Sequence, residues 1–195
     1  WMHRPWNHLE AGLFKDGRLT DESLEGRLRE ELEQAHEIDQ LAEQLGIPVE
    51  EPFSGLMFRG SAGWIGVLGP DEDYYEELLL DFRSTPEKKA AAAQYGRGGV
   101  MEALQAGIRL AKKILENWGY ETLEDPAEDA TSAENNSSAI LLLKCDGRYS
   151  LFTGDAGVPA LERAIAMANL SNIDLTMCHL HQIPHHGSRR NVGPT

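Results

Sequence analysis

The sequence is poor in cysteine: 195 residues contain two, Cys145 and Cys178. Two cysteines do not make a disulfide framework, and neither has the Cys-x-x-Cys spacing of a zinc knuckle. Both fall in apolar, strand-like runs, where free thiols are ordinarily buried. Positive charge is also scarce, with 18 Lys and Arg against 32 Asp and Glu and a net charge of −14. Such a surface repels polyanions at long range, which argues against a broad nucleic-acid footprint. A phosphate in a pocket is still compatible with it, because a bound metal dominates the local field. No run of about 18 apolar residues occurs, so no transmembrane helix is read. No stretch has the pattern of a secretory leader, and no internal repeat is visible. The compartment stays open, with a cytoplasmic setting as the default.

What is present is ordinary globular material, 41% hydrophobic and 26% charged, in a length that suits one domain with a real core. The chain opens on "WMHRPWNHL", read as a strand end entering a loop, and stops at "NVGPT". Both ends look cut, and the expectation is a single domain over 1–195, incomplete at both ends. Residues 20–46 read as a long surface helix capped by Thr20 or Asp21 and ended by Gly46. Leu24, Leu28, Leu32, Ile38, Leu41 and Leu45 form its apolar stripe. "IPVEEPFSG" and "LMFRGSAGWIGVLGP" read as strands broken by glycine turns. "DEDYYEELLLDF" opens a short acidic helix. Pro86 to Tyr120 reads as irregular helix with a break at Gly96, Gly98 and Gly99. Residues 121–138 are acidic, small and polar, and read as a solvated connector. "AILLLKC" and "RYSLFTG" are strands joined by Asp146 and Gly147, a dipeptide suited to a two-residue hairpin. "VPALERAIAMANL" is a helix with Pro159 in its first turn, and "IDLTMCHLHQI" is a further strand.

The segment "DLTMCHLHQIPHHGSRRN" holds four of the seven histidines. A metal site, an acid/base site, and a polar strand end without chemistry all fit it. From Arg148 to His186 the order is strand, helix, strand. If the strands are parallel neighbours, the helix is a right-handed crossover and both strands end on one sheet edge. Asp155, after "TG", and His185, after Pro184, then emerge together, and ligands of α/β sheets gather at such edges. A carboxylate and an imidazole suit a zinc-like metal, and one carboxylate can bridge two metals. The plain alternative is that Asp155 caps the helix starting near Val158. His179 and His181 share one face of their strand and read as partly buried structural residues. His3 and His8, five apart around a proline, lack a zinc spacing. Such histidines ordinarily flank a loop, lining a substrate pocket suits both better than metal ligation, and Trp1 and Trp6 read as packing residues.

Taken in order, "ENNSSAILLLKCDGRYSLFTGD", a helix, and "HLHQIPHHGS" resemble the carboxyl half of metallo-β-lactamase-fold hydrolases. The branch is that of the hydrolase domain of bacterial DNA-uptake (competence) channel proteins. The best-matched part runs from about residue 134 to 191. "WIGVLGPDEDYYEELL" resembles a segment of the same branch less specifically. The resemblance implies the α/β class in its αβ/βα sandwich form, here the carboxyl-side portion. It implies a site for two divalent metals, zinc with manganese as alternative. Asp155 matches the bridging aspartate and His185 the late histidine ligand, with His186 as second choice or substrate contact. Asn135, Asn136 and Ser137 match an Asn-x-Ser element near the pocket, and Ser188 and Arg189 are placed to meet an anionic substrate. The implied activity is hydrolysis of a phosphodiester, in a small molecule, a nucleotide or a nucleic acid, by a metal-bound hydroxide. The family's upstream His-x-His-x-Asp-His motif is absent from these 195 residues. Most ligands are therefore expected outside them, and the piece by itself is expected to be inactive. The rival expectation is a non-catalytic interaction domain or a degenerate relative.

Overall fold

A computed structural model describes residues 1–8, 26, 32–82, 126, 130–188 and 190–192. The described residues form a mixed α/β arrangement of one five-stranded mixed sheet and four helices. The strands are β1 (Met57–Gly60), β2 (Gly63–Gly69), β3 (Ile140–Cys145), β4 (Arg148–Phe152) and β5 (Cys178–His181), and they lie in the order of the chain. The helices are α1 (Glu33–Gln44), α2 (Glu72–Leu79), the single turn α3 (Ala133–Asn136) and α4 (Val158–Leu170).

Three antiparallel pairs come first, then one parallel pair, β4 with β5. The β3–β4 connection is the expected hairpin: Cys145 faces Arg148, and Asp146 and Gly147 take φ of 49° and 76°. Both values are positive, as a two-residue turn matched to sheet twist requires. The β4–β5 connection is the expected crossover, carried by α4 with Pro159 in its first turn. Ala160, Ala164 and Ala168 are buried on α4. Their small side chains bring the helix close to the sheet, where they join Leu68, Ile140, Leu142 and Leu151 in the larger core.

The opposite face of the sheet is also apolar. In register, Phe58 pairs with Ile65, Ile65 with Leu143, and Val67 with Leu141, which in turn pairs with Phe152. Side chains alternate between faces, so these residues point away from Leu142 and Leu151. Phe58 is 63% exposed, Phe152 39% and Leu180 49%.

A second, smaller cluster joins Trp6, Tyr75, Leu79 and Phe82, with Met2, Leu32, Ala35, Phe53 and Ala133 packed against it. It ties the chain start, the first turn of α1, and α2 to α3. Asp71 caps α2 by accepting from Tyr74 N–H.

Several expectations are corrected. Residues 1–4 form no strand; they lead into a 3-10 turn, Pro5–Asn7, with Trp6 buried as expected and Trp1 exposed. Residues 47–54 form no strand either, because their polar contacts go to residues 2, 4 and 70 rather than to a ladder. Gly46, at φ 67°, ends α1 as expected. Ile38, Leu41 and Leu45 nevertheless face solvent. The inner face is Leu32, Ala35, His36 and Asp39, set by Trp6 and by the Arg4–Asp39 ion pair at 2.6 Å. β5 spans only Cys178–His181, preceded by a 3-10 turn at Leu175–Met177. It is an edge strand, so His179 and His181 are exposed rather than partly buried. Cys145 and Cys178 are half-buried free thiols, not fully buried ones. The end of the 121–138 segment is not a solvated connector: Ser132 caps α3 and Asn136 is buried. The Pro86–Tyr120 segment with its glycine break lies outside the described residues, as do Leu24, Leu28 and most of 121–129. No helix among the described residues is long and apolar enough to cross a membrane.

Candidate functional site at the ends of β4 and β5

Parallel pairing carries the ends of β4 and β5 to the same edge of the sheet. Gln182, just past β5, then binds the end of β4 at several points. Its N–H donates to Leu151 O at 2.9 Å. Its side-chain oxygen accepts from Thr153 N–H at 3.1 Å, and its carbonyl accepts from the Thr153 hydroxyl at 3.1 Å. His185 N–H donates to Gly154 O at 3.1 Å. The "TGD" and "PHH" segments, 30 residues apart between Asp155 and His185, are thus joined through their backbones.

The loop holding Asp155 is pinned from two sides. Asn136 is buried, and its side-chain oxygen accepts from Gly157 N–H at 3.0 Å. Asn191, 1% exposed, donates its side-chain amide to Asp155 O at 2.7 Å. The Ser138 hydroxyl accepts from Asp155 N–H at 3.2 Å. The Thr131 hydroxyl donates to Arg190 O, so both flanking segments close around the loop. Gly157 has to be glycine here: a Cβ would lie 2.5 Å from Thr131 Oγ1 and 2.6 Å from Asn136 Oδ1. With Asp155 held by its backbone, its carboxylate makes no hydrogen bond or ion pair to another described residue. It does not cap α4, whose N-cap is Gly157 with no side-chain bond.

His185 and His186 take φ of 43° and 55° in the turn Pro184–Gly187. Non-glycine residues adopt this left-handed region at a cost, and such backbones cluster at functional sites. The two histidines then differ. His185 is half-buried, with Nδ1 2.9 Å from the Asn135 side-chain amide and Nε2 without a bond to a described residue. His186 is exposed, its ring edge-on to His185 at 6.2 Å between centroids.

The remaining sequence-picked residues divide. Asn135 is brought to His185. Asn136 is buried in the loop support and faces no open space. Ser137 donates its hydroxyl to Glu134 O at 2.8 Å, closing α3. Ser188 Oγ accepts from Arg190 N–H at 3.3 Å inside its turn, and Arg189 lies outside the described residues. His3 stands away from this rim, in the Trp6–Tyr75 cluster. It stacks on Tyr75 with 4.4 Å between centroids and meets Phe53 at 5.0 Å. Both its ring nitrogens are buried without hydrogen-bond partners among the described residues. Burial, and then the neighbouring His8, lowers its pKa to about 4. Sequence reasoning missed Gln182, Ser138, Thr131 and Asn191. "TGDAG" and "PHHGS" mark the rim, but no short pattern marks residues that support it from other segments.

As a donor set, the rim offers one carboxylate and one imidazole Nε2. This combination fits a zinc-like divalent ion when the Asn135 amide turns its oxygen rather than its nitrogen to Nδ1, because a ligating histidine donates its other ring N–H outward. Two donors are fewer than the roughly three that a catalytic zinc takes from protein. Comparison with protein-family models, with curated proteins and with solved structures finds no match to this chain.

Proposed function

We propose that the chain is the carboxyl-side portion of a metal-dependent hydrolase of the metallo-β-lactamase fold, acting on phosphodiester-type substrates. The observation that carries this reading is the junction of "TGD" and "PHH", with His185 N–H on Gly154 O at 3.1 Å. It sets a loosely held carboxylate and an oriented imidazole on one strand-end edge, where α/β proteins bind ligands. The apolar face carrying Phe58, Leu143 and Phe152 supports the two-sheet form of the fold. A sheet that is apolar on both faces is one covered on both. Asp155 and His185 are the ligands, and Asn135 fixes the His185 ring. Zinc or manganese would supply an activated water and stabilise the developing oxyanion. The other ligands lie outside this rim, so the isolated chain holds metal there weakly.

A non-catalytic interaction domain is the second reading, favoured by the exposed Ile38, Leu41 and Leu45 of α1. Metal content and hydrolysis of bis(p-nitrophenyl) phosphate, measured on the full-length natural protein, separate the two. The hydrolase reading expects about two zinc or manganese ions at the site. Asp155→Ala removes them together with hydrolysis while the circular dichroism spectrum is kept. Full-length protein whose metal content and phosphodiesterase activity are the same with and without Asp155 sinks the reading.

A further inference from the structure

The second cluster holds a group of side chains that the rim does not use. His8 sits at the end of the first turn with its ring 10% exposed, edge-on to Phe53 at 5.3 Å and to Tyr75 at 5.5 Å. Its two nitrogens face different surroundings. Nε2 lies 2.8 Å from Glu51 Oε2. That oxygen also accepts from Arg4 N–H at 3.0 Å, so it is a carboxylate acceptor and Nε2 carries the proton. Nδ1 lies 3.3 Å from Glu76 Oε1 and 3.8 Å from Glu72 Oε1. Glu72 and Glu76 are four apart on α2, where like charges repel. Neither pairs with a Lys or Arg among the described residues. Nδ1 and the two carboxylates lie within 4.8 Å of one another.

With a neutral ring three lone-pair atoms converge here, and either a proton on Nδ1 or a cation between them would offset their repulsion. The spacing bears on the choice. A charge-assisted hydrogen bond from imidazole to carboxylate is about 2.7–2.9 Å long, and the Glu51 side of the ring has that length. Two ligands on a tetrahedral ion with bonds of about 2.0–2.1 Å stand about 3.3 Å apart. The Glu76 side of the ring has that spacing, and Glu72 is within half an ångström of it. Within one imidazole, one edge has the length of a charge-assisted hydrogen bond, and the other has a spacing that suits a pair of ligands, although it is also within the reach of a long hydrogen bond. Carboxylate on one nitrogen and metal on the other is the common arrangement of a ligating histidine.

We propose that His8, Glu72 and Glu76 bind one zinc-class divalent cation, with Glu51 as the positioning residue for His8. Glu72 and Glu76 are 61% and 46% exposed, which leaves a path for the ion and room for a water as fourth ligand. The site links the turn at the chain start to α2, so the ion also holds that turn against the aromatic cluster. It is independent of the rim and stands or falls separately.

The test uses chelator-treated protein titrated with zinc chloride by calorimetry, with cobalt(II) absorption to read tetrahedral coordination. The background is Asp155→Ala/His185→Ala, which removes rim donors. One zinc per chain is expected there. It should be lost in Glu72→Gln/Glu76→Gln, whose exposed side chains leave the fold intact by circular dichroism. Glu51→Gln should keep the stoichiometry and weaken affinity roughly 10-fold or more. No zinc binding in the Asp155→Ala/His185→Ala protein overturns the proposal. Undiminished binding in Glu72→Gln/Glu76→Gln overturns it equally.

Discussion

The rim at the ends of β4 and β5 and the cluster around His3 and His8 are both polar sites, but they are assembled differently. The rim rests on a strand ladder: two parallel strands end together, two backbone hydrogen bonds join their ends, and the side chains of Asn136, Ser138, Gln182 and Asn191 bind the backbone of the loops between them. Its candidate ligands are left over, with the Asp155 carboxylate bonded to no other described residue and His185 held at one nitrogen. The cluster is a product of side-chain packing. Coil residues 1–8, coil residues 47–53 and one face of α2 meet without a shared ladder, and rings and carboxylates hold them together. A site anchored on a strand ladder by several separate hydrogen bonds should survive loss of one side chain better than one held by packing around a single ring.

The sharpest way to break that contrast is Tyr75→Ala. Tyr75 is 1% exposed and touches His3, His8, Phe53 and Phe82. Truncating a buried aromatic costs roughly 3–5 kcal/mol, and urea denaturation should show a loss of that size. Hydrogen exchange should rise first in residues 1–8 and along α2, with β3 and β4 the last to open. Uniform loss of protection across the sheet would mean that the two regions are not separable.

Acid should also act on the cluster, through His3. Burial holds the His3 pKa at about 4 against 6.5 in the unfolded chain. Between these values the unfolded chain binds the extra proton. Stability therefore rises with pH through this window and is lost as pH falls from 6.5 toward 4. With each unit worth about 1.4 kcal/mol and partial solvent screening, the effect is about 2–3 kcal/mol. His3→Phe keeps the stacking and removes the titration. The difference in stability between the two proteins should then slope over this window and flatten above pH 7. Parallel pH curves would show that His3 is not held neutral.

On the rim, Gly157→Ala places a methyl among Thr131 and Asn136, which are already bonded. Overpacking of this kind costs roughly 1–3 kcal/mol, read again by denaturation. Asp155 should move with its loop, so rim metal binding should fall as well. A neutral result would mean that the loop support yields easily.

The contrast also explains what the sequence made legible. The parallel β4–β5 pair, the crossover and the meeting of Asp155 with His185 follow from element order and handedness, which a single sequence carries. The hairpin at Asp146–Gly147 is local chemistry, equally readable. Glu51 beside His8, or His3 on Tyr75, depends on how coil segments pack, and no periodicity encodes that. For the same reason the apolar spacing along α1 predicts a different inner face beyond Leu32. Ile38, Leu41 and Leu45 keep helical spacing, yet Trp6 and Arg4 choose the face with Ala35 and Asp39. Asn136 reads, by resemblance, as a residue near the pocket and Asn191 carries no local signal, and only the closed loop shows that both support Asp155.

The smallest expected effect on stability is the most informative about chemistry. Asn135→Ala removes a hydrogen bond at a half-buried ring that water can reach, so stability should change by about 1 kcal/mol or less. Its consequence lies in the His185 tautomer. A side-chain amide can meet Nδ1 with either end. If the NH2 donates, the neutral ring carries its proton on Nε2, and the outward nitrogen cannot ligate. If the carbonyl accepts, the proton is on Nδ1 and the Nε2 lone pair faces outward from the ring, as a metal ligand requires. Long-range nitrogen–proton NMR of the imidazole above pH 8 distinguishes these directly. The hydrolase reading expects the Nδ1–H form in the parent protein and a mixture tending to Nε2–H in Asn135→Ala. A parent ring protonated on Nε2 would make Asn135 a lock against ligation. His185 would then be a structural end to β5, and Asp155 would stand on the rim without its partner.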